Sequence, residues 1–383
     1  MTHSAQVMDW LASQKGEMLA LLEELVNLDS GSYDKAGVDR VGERLASFFE
    51  SHGIPVSRQA NESFGDIFSA TVASSGGSNA PVVLMGHRDT VFPKGEAKRR
   101  PFRIVDDRAY GPGVADMKGG LVMNAFVAAA FHKFGGAPAP IVVLTTSDEE
   151  IGSLTCRPTI EEVARNARAV FNSEPGRPTG NVVTGRKGAV FMACTVTGKS
   201  AHSGAAFQNG ISAVNEIAHK IVHLEDISDL EAGVTLNVGL VSGGQSVNTV
   251  APSARIEIDL RYVRPDQRDA AMARIEGIVQ KQYVAGTQSA LTITGEFAPL
   301  VQSRSSAELL SAYQQAMTSV GERVEGEFSG GCADSGFTSL VGCPTICAVG
   351  PVGGFPHTPE EYLEVDSLVP RAQGLALTIS QMA

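Results

Sequence analysis

The feature that most constrains the fold is a change in the pattern of apolar residues along the chain. Before about residue 175, short runs that are apolar throughout alternate with helical segments. The predicted strands of this part are 81–86, 141–146 and 168–172, and the predicted buried helix is 118–134. Strands that are apolar on both faces and separated by helices are typical of a mostly parallel sheet covered by helices. This part of the sequence therefore predicts an α/β domain.

After about residue 185 the apolar and polar residues alternate instead, as they do in half-exposed antiparallel strands. The predicted strands here are 188–197, 236–243, 254–263 and 290–297, with helices near 210–225 and 267–282. The resulting order β-α-β-β-α-β is that of a ferredoxin-like α+β domain, which forms a complete small domain by itself.

Beyond residue 300 the pattern returns to a helix, a short strand at 345–349 and a final helix at 366–381. The first 55 residues or so show helical periodicity and predict two amphipathic helices. A chain of 383 residues also exceeds what one hydrophobic core usually serves. We therefore predict an α/β domain in two parts, 1–184 and 298–383, interrupted by an inserted domain at 185–297.

Composition and charge exclude several classes of protein. With 31 basic and 42 acidic residues the formal charge is −11, which argues against a protein that binds nucleic acid or an anionic membrane. We expect no membrane span and no signal peptide, because no apolar run approaches the ~20 residues that a membrane helix needs. The five cysteines lack C-x-x-C spacing, so neither a disulfide scaffold nor a thiolate zinc site is expected. The expected location is cytoplasmic.

Polar side chains that can bind a metal ion or transfer a proton follow the predicted strands of the α/β domain. His87 and Asp89 come after the first strand, Glu149 and Glu150 after the second, and Glu174 after the third. Ligands of open α/β sheets bind at the carboxyl ends of the strands, so these side chains are expected to converge in one crevice.

Two further residues complete a set typical of metal-dependent hydrolysis. Asp116 lies in a glycine-rich turn before the 118–134 helix, and His357 lies in a loop after the last strand. Imidazole and carboxylate together suit zinc, manganese or cobalt. Asp89 is placed to orient the ring of His87, and if Glu150 binds metal its neighbour Glu149 is free to act as general base. Each motif alone has an ordinary structural explanation; their joint occurrence at strand ends favours a site.

Several blocks of the sequence resemble the signatures of one hydrolase family. The blocks are GHRDTV (86–91), YGPGVADMKGG (110–120), SDEEIGS (147–153), FNSEPG (171–176) and PHTPEEY (356–362). They are similar, in order and spacing, to those of the family of glutamate carboxypeptidase, the aminoacylases and succinyl-diaminopimelate desuccinylase, which are co-catalytic di-zinc enzymes. The closest resemblance is to the glutamate carboxypeptidase type. It implies a zinc-exopeptidase-like catalytic domain with an inserted lid or dimerisation domain.

The resemblance also implies a role for each residue. Asp116 matches the carboxylate that bridges two metal ions. The expected ions are zinc, and manganese or cobalt are the alternatives. The remaining metal ligands are matched by His87 and Glu174 for one ion and by Glu150 and His357 for the other. Glu149 matches the general base and Asp89 the orienter of His87.

Residues of the inserted domain match further family positions. His202 resembles the histidine that stabilises the oxyanion, often across a dimer interface. Asn248 and Arg261 match positions that bind the carboxylate of the substrate, and Gly330 and Gly331 resemble a backbone loop that lines the same pocket. Arginine suits this task because its guanidinium binds a carboxylate in a bidentate manner.

The resulting prediction is a metal-dependent hydrolase that cleaves an amide next to a free α-carboxylate and releases glutamate or a similar amino acid. A hydroxide held between the two ions would attack, with Glu149 as general base. The expected partners are an N-acyl amino acid or short peptide and a second copy of the chain. Alternatives are an aminoacylase, desuccinylase, dipeptidase or deaminase on the same scaffold, or a dimeric metal-binding protein without turnover. The last is disfavoured because an inert binder does not need Glu149.

Overall fold

The computed structural model describes residues 2–76 and 80–382. The chain divides into two compact units. The first comprises Met1–Gly185, Leu300–Ser329 and Ala333–Ala383, and the second comprises Arg186–Pro299 and Gly330–Cys332. The roles that the sequence suggests for the two parts, catalysis and dimerisation, remain proposals.

The helices of the described residues are numbered in chain order. They are α1 (His3–Ser13), α2 (Lys15–Val26), α3 (Lys35–Ser51), α4 (Glu96–Arg99), α5 (Gly119–Lys133), α6 (Arg157–Arg165), α7 (Ala213–Glu225), α8 (Pro265–Gln280), α9 (Arg304–Ser319), α10 (Ser335–Leu340) and α11 (Leu368–Ser380).

The strands are numbered in the same way. They are β1 (Val56–Gln59), β2 (Ile67–Val72), β3 (Val82–His87), β4 (Arg103–Val105), β5 (Arg108–Tyr110), β6 (Ile141–Thr146), β7 (Ala169–Asn172), β8 (Val182–Arg186), β9 (Gly188–Thr197), β10 (Thr235–Gly243), β11 (Ser253–Tyr262), β12 (Gln288–Phe297), β13 (Gly326–Ser329), β14 (Thr345–Cys347), β15 (Gly353–Gly354) and β16 (Tyr362–Glu364).

The first unit is organised around a mixed sheet of order β1-β2-β6-β3-β7-β14-β8-β13. Its central strands β6, β3, β7 and β14 are parallel, and β2 and β8 flank them in antiparallel pairings. All six residues of β3 are buried, as expected for a strand covered on both faces. The predicted α/β fold with a mostly parallel mixed sheet and flanking helices is confirmed.

Helix α5 forms the centre of the core beside this sheet. Together with the short π-helical turn Val114–Lys118 it makes one continuous apolar segment, Val114–Lys133, that is long and apolar enough to cross a membrane. Our expectation that no segment reaches this length was wrong. Because 94% of its most apolar window is buried inside the fold, packing in the core accounts for its composition.

The N-terminal region differs from the prediction of two helices. Three helices form instead, because the chain breaks at Gln14, which ends α1 and precedes α2 with a ψ of 5°. Leu11 and Met18 on either side of the break are both fully buried. The helical spacing of apolar residues thus continues across the break between α1 and α2. Periodicity alone therefore did not predict this break.

The second unit is built on an antiparallel sheet of order β10-β11-β9-β12. With α7 after β9 and α8 after β11, this is the predicted ferredoxin-like arrangement. Strand β11 alternates between exposed and buried residues, and its buried Ile256, Ile258 and Leu260 belong to a core shared with Ile217 of α7 and Ile275 of α8.

A small antiparallel sheet, β15-β16-β5-β4, connects two distant segments of the first unit. Tyr362 of β16 pairs with Gly354 on one side and with Tyr110 on the other. The turn that carries Asp116 follows Tyr110, and the loop that carries His357 follows Gly354. This sheet therefore brings Asp116 and His357 together although 241 positions separate them (357 − 116).

Candidate active site

The candidate site lies where the parallel strands of the first unit end. Strand β3 ends at His87, Glu174 follows β7, and Glu149 and Glu150 lie in the one-turn 3-10 helix Glu149–Ile151 after β6. Because β6, β3 and β7 are parallel neighbours, their carboxyl ends share one edge of the sheet. Asp116 reaches this edge from the turn before α5.

Asp116 lies between two histidines and is common to two groups of possible metal ligands. Its Oδ1 is 3.2 Å from Nε2 of His87, and its Oδ2 is 3.3 Å from Nε2 of His357. Glu174 Oε1 lies 3.6 Å from the same nitrogen of His87, and Glu150 Oε2 lies 3.1 Å from that of His357. The groups His87–Asp116–Glu174 and Asp116–Glu150–His357 each present three ligand atoms within 4.8 Å of one another.

This set of residues fits divalent cations. Imidazole and carboxylate donors without thiolate suit zinc, manganese and cobalt. Within the described part of the chain, Glu150 Oε1 is buried and has no hydrogen-bond partner. Leaving such an oxygen unsatisfied is costly, and a cation would satisfy it. His357 has a φ of 63°, an uncommon backbone conformation for a non-glycine residue that is often found at functional sites.

The close packing of acids and histidines shifts their pKa values in the absence of metal. Burial alone would lower the pKa of His87, but the charge of Glu149 and a hydrogen bond to Asp116 raise it well above its usual range. Hydrogen bonds to Asp116 and Glu150 raise the pKa of His357 to about 10. Burial would raise the pKa of Asp116, yet the two histidines lower it overall.

Glu149 is buried beside the two groups without belonging to either. Its Oε2 lies 3.9 Å from Nε2 of His87. Burial is the largest cause that raises its pKa well above the usual range, and the charge of Glu174 adds to it. A carboxyl group with a raised pKa can both take up and return a proton near neutral pH.

Asp89 ties His87 to the turn that carries the two glutamates. His87 Nδ1 lies 3.0 Å from the backbone oxygen of Asp89 and 3.4 Å from its Oδ1. The buried carboxylate of Asp89 also accepts hydrogen bonds from the backbone N–H groups of Glu149 and Glu150, at 3.2 and 3.1 Å, and from Ser32 Oγ at 2.7 Å. The carboxylate of Asp89 thus fixes the position of His87 relative to Glu149 and Glu150.

Glu361 is a structural member of the site that the sequence analysis missed. Its fully buried carboxylate accepts hydrogen bonds from the backbone N–H groups of Gly113, Ala115 and Asp116 at 3.0, 2.9 and 2.9 Å. Glu361 therefore fixes the backbone of Asp116. The available signal was the acidic pair Glu360–Glu361 within the block that contains His357; only the second acid of the pair is buried.

The remaining predicted residues lie in the second unit, in two groups. His202 Nδ1 accepts hydrogen bonds from the backbone N–H groups of Gly204 and Ala205, both at 3.1 Å, which leaves Nε2 protonated as a donor in the neutral ring. Asn248 lies beside His202, because its backbone carbonyl oxygen accepts a hydrogen bond from the backbone N–H of Ser203, the residue after His202, at 2.9 Å.

The second group brings Arg261 to the segment Gly330–Cys332. The guanidinium donates to Asp259 Oδ1 at 2.7 Å and to Cys332 Sγ at 3.2 Å. Gly330 and Gly331 directly precede Cys332 in the sequence. They therefore lie close to the contact between Cys332 and Arg261.

Comparison with known proteins gives a consistent assignment. Residues 83–381 match the family described as peptidase family M20/M25/M40. Carboxypeptidase G2 from Pseudomonas sp. (strain RS-16) is 30% identical over 363 residues, which cover 92% of this chain and 86% of the relative. An acetylornithine deacetylase from Edwardsiella ictaluri is 27% identical over 382 residues, covering 94% and 96% of the two chains.

Solved structures show the same fold. An M20 family metallo-carboxypeptidase from Sulfolobus solfataricus has a TM-score of 0.79 at 19% identity, covering 95% of this chain and 98% of that one. A tripeptidase from Staphylococcus aureus has a TM-score of 0.78 at 20% identity, covering 96% and 98%. The family resemblance predicted from the sequence blocks is confirmed. The chain belongs to peptidase family M20/M25/M40 and is a metallo-hydrolase.

Proposed function

We propose that this protein hydrolyses an amide bond next to a free α-carboxylate and releases a C-terminal glutamate or a similar amino acid. The observation that carries the proposal is Asp116, shared by two ligand groups, with Glu149 beside them as an acid that neither group uses. The similarity to carboxypeptidase G2 supports carboxypeptidase chemistry. The similarity to acetylornithine deacetylases keeps deacylation of an N-acyl amino acid as the second candidate.

The proposed cofactor is a pair of zinc ions. His87 and Glu174 would hold one, Glu150 and His357 the other, and Asp116 would contact both. Bound ions of this kind supply Lewis acidity toward the scissile carbonyl and lower the pKa of the attacking water. Manganese or cobalt would suit the same donors.

The side chains around the ions would handle the proton and the developing charge. Glu149 would take the proton of the attacking water and return it to the leaving nitrogen, a task that suits its raised pKa. The Nε2–H of His202 would donate to the carbonyl oxygen as negative charge develops there. Arg261 and Asn248, with the Gly330–Gly331 backbone, would bind the α-carboxylate of the substrate.

The proposed location is cytoplasmic. All five cysteines are free thiols, which supports a reducing compartment.

The substrate assignment is tested by a hydrolysis panel on metal-loaded protein. We expect N-acyl-L-glutamates to be cleaved, and conversion of the α-carboxylate to an amide to lower kcat/KM at least ~100-fold, because buried polar groups that recognise it would be left unpaired. The same panel includes N-acetyl-ornithine and dipeptides. Preference for N-acetyl-ornithine would favour the deacylase candidate, and equal cleavage of the acid and its amide would exclude recognition of the α-carboxylate.

The role of Glu149 is tested by the variant Glu149→Gln, with Glu162→Gln as a control at an exposed glutamate of α6. Loss of the proton acceptor should lower kcat ~10²–10⁴-fold without loss of bound metal. Steady-state kinetics and elemental analysis of both variants measure the two quantities. Retained turnover, or loss of metal together with activity, would contradict the assignment of Glu149 as a base rather than a ligand.

Metal binding should become tighter as the pH rises from 6 to 8. In the metal-free protein the pKa of His357, raised to about 10, keeps this histidine protonated in the window, and it must lose a proton to bind metal. The pKa of His87 is raised in the same direction. Each displaced proton makes the apparent dissociation constant fall about tenfold per pH unit. Titration against a chelator measures the slope. His357→Gln should flatten it, whereas His219→Gln, at an exposed histidine of α7, should not.

We propose that the second unit mediates dimerisation through strand β10 and helix α7. Strand β10 lies at an edge of its sheet and exposes Leu240 (63%) and Val241 (66%), and α7 exposes Val222 (63%). An unpaired apolar edge strand is a ready site for association with another chain.

The dimer is tested by Val241→Lys, which places a charge on the β10 edge and should convert a dimer to a monomer in light scattering. The control is Ile293→Lys on β12, the opposite edge of the same sheet, where the side chain is 45% exposed. A wild-type monomer at working concentrations, or equal effects of both variants, would exclude this interface.

A further inference from the structure

Asp334 is a buried acid of the first unit that has no role in the chemistry proposed so far. It lies directly before α10 and is only 2% exposed. It belongs to neither group of possible metal ligands. A carboxyl group is costly to bury unless its oxygens are hydrogen-bonded, so the contacts of Asp334 indicate what it does.

Both oxygens of Asp334 accept hydrogen bonds from hydroxyl groups of one short segment. Thr146 Oγ1 donates to Oδ2 at 3.2 Å, and Ser153 Oγ donates to Oδ1. Thr146 is the last residue of β6 and Ser153 comes after the 3-10 helix, so these hydroxyls lie at the two ends of residues 146–153, the glutamate turn. This turn carries the proposed general base and one proposed metal ligand. A single buried carboxyl group therefore joins its two ends.

The glutamate turn is closed by its own backbone hydrogen bonds. The N–H of Gly152 donates to Glu149 O at 2.8 Å, and the N–H of Ser153 donates to Asp148 O at 2.8 Å. Ser153 has a φ of 49°, which is uncommon for a residue other than glycine, and its hydrogen bond to Asp334 helps to stabilise this conformation. A contact that fixes Ser153 therefore also fixes the backbone of Asp148 and Glu149.

Asp89 and Asp334 hold the glutamate turn at different points. Asp89 accepts from the backbone N–H groups of Glu149 and Glu150, in the middle of the turn. Asp334 instead accepts from side-chain hydroxyls at its two ends. Because the two sets of contacts do not overlap, Asp89 cannot replace those of Asp334.

The two glutamates of the turn depend on this support to different degrees. A bound metal ion would fix the carboxylate of Glu150 directly. Glu149 is not a proposed ligand, so its position depends on the backbone that carries it. Asp334 also acts on Glu149 through space: burial is the largest cause that raises the pKa of Glu149, and the charges of Glu174 and Asp334 add to it. Loss of the contacts of Asp334 should therefore displace Glu149 more than Glu150.

We propose that Asp334 is a positioning residue for the proposed hydrolysis, which holds both ends of the glutamate turn and so keeps Glu149 beside the attacking water. The proposal rests on the proposed function and adds to it a residue outside both ligand groups. Asp334 acts through Thr146 and Ser153 and not by contact with the substrate.

The kinetic test uses Asp334→Ala and Asp334→Asn in the full chain loaded with metal, with the compound of the hydrolysis panel that the wild type cleaves fastest. Asp334→Ala should lower kcat ~10–100-fold with little change in KM or bound metal, since misplacing a catalytic group by ~1 Å has effects of this size. Asp334→Asn should retain most of kcat, because its amide can accept from Ser153 and donate to Thr146. Burial raises the pKa of Asp334 to about 7, so a neutral side chain is a close substitute near neutral pH. Equal losses in both variants, or full activity of Asp334→Ala, would overturn the proposal.

Thr338→Val is the matched control on α10. It removes a buried hydroxyl whose contacts, with Ser335 O at 2.9 Å and Thr345 Oγ1 at 2.8 Å, lie outside the glutamate turn. This variant should lower Tm and leave kcat unchanged. A loss of kcat as large as that of Asp334→Ala would show that general destabilisation explains both results and would overturn the positioning role.

A measurement without turnover separates this proposal from the proposed function. Hydrogen exchange of the backbone N–H groups of residues 149–153 in metal-free protein should speed up at least ~5-fold in Asp334→Ala, because local opening no longer breaks buried hydrogen bonds. Ser153→Ala removes one of the two hydroxyls and should change exchange and kcat in the same direction, which tests the contact even if Asp334→Ala does not fold. Unchanged exchange in these variants would overturn the positioning role. Faster exchange with a wild type that cleaves no compound of the panel would instead overturn the proposed function.

Discussion

The site depends on holding several carboxylates together in a buried space. Like charges in a poorly solvated region repel strongly, and burial alone penalises each ionised acid. The metal-free protein meets this constraint with protons: Glu149 has a raised pKa, and His87 and His357 carry positive charge against Asp116. Divalent cations would also neutralise the negative charge of the carboxylates, and each cation carries twice the charge of a proton. Binding of the proposed metal ions would displace these protons from the acid cluster.

Two further buried carboxylates keep this cluster in place through backbone hydrogen bonds. Asp89 accepts from the N–H groups of Glu149 and Glu150, and Glu361 accepts from the turn that contains Asp116. Each therefore fixes a segment of chain and not merely one side chain. The positions of the proposed bridging acid and of the glutamate pair follow from folding, so metal binding would meet ligands that are already oriented.

The sequence could predict the parts of this arrangement that follow from strand periodicity. The strand ends identified His87, the glutamate pair and Glu174, since the carboxyl ends of parallel strands share an edge. It could not predict the anchoring by Glu361, because that depends on a small sheet that joins segments far apart in sequence. The individual roles of these residues, as metal ligands or as general base, were inferred from the family resemblance and not from periodicity. The sequence analysis also missed a cavity of the first unit that is lined by residues 31–34, residues 90–94 and Glu150, since the contact between these two loops cannot be inferred from a periodic pattern.

The separation of roles between Glu149 and Glu150 follows from the backbone that carries them. In a strand, adjacent side chains point to opposite faces, so only one of two consecutive acids could enter the crevice. The 3-10 turn that begins at Glu149 instead rotates successive side chains by about 120°. Both acids therefore reach the same crevice in different directions, Glu150 to 3.1 Å from His357 and Glu149 to 3.9 Å from His87. One can coordinate metal while its neighbour stays free to exchange protons, and this division requires the strand to end before the pair.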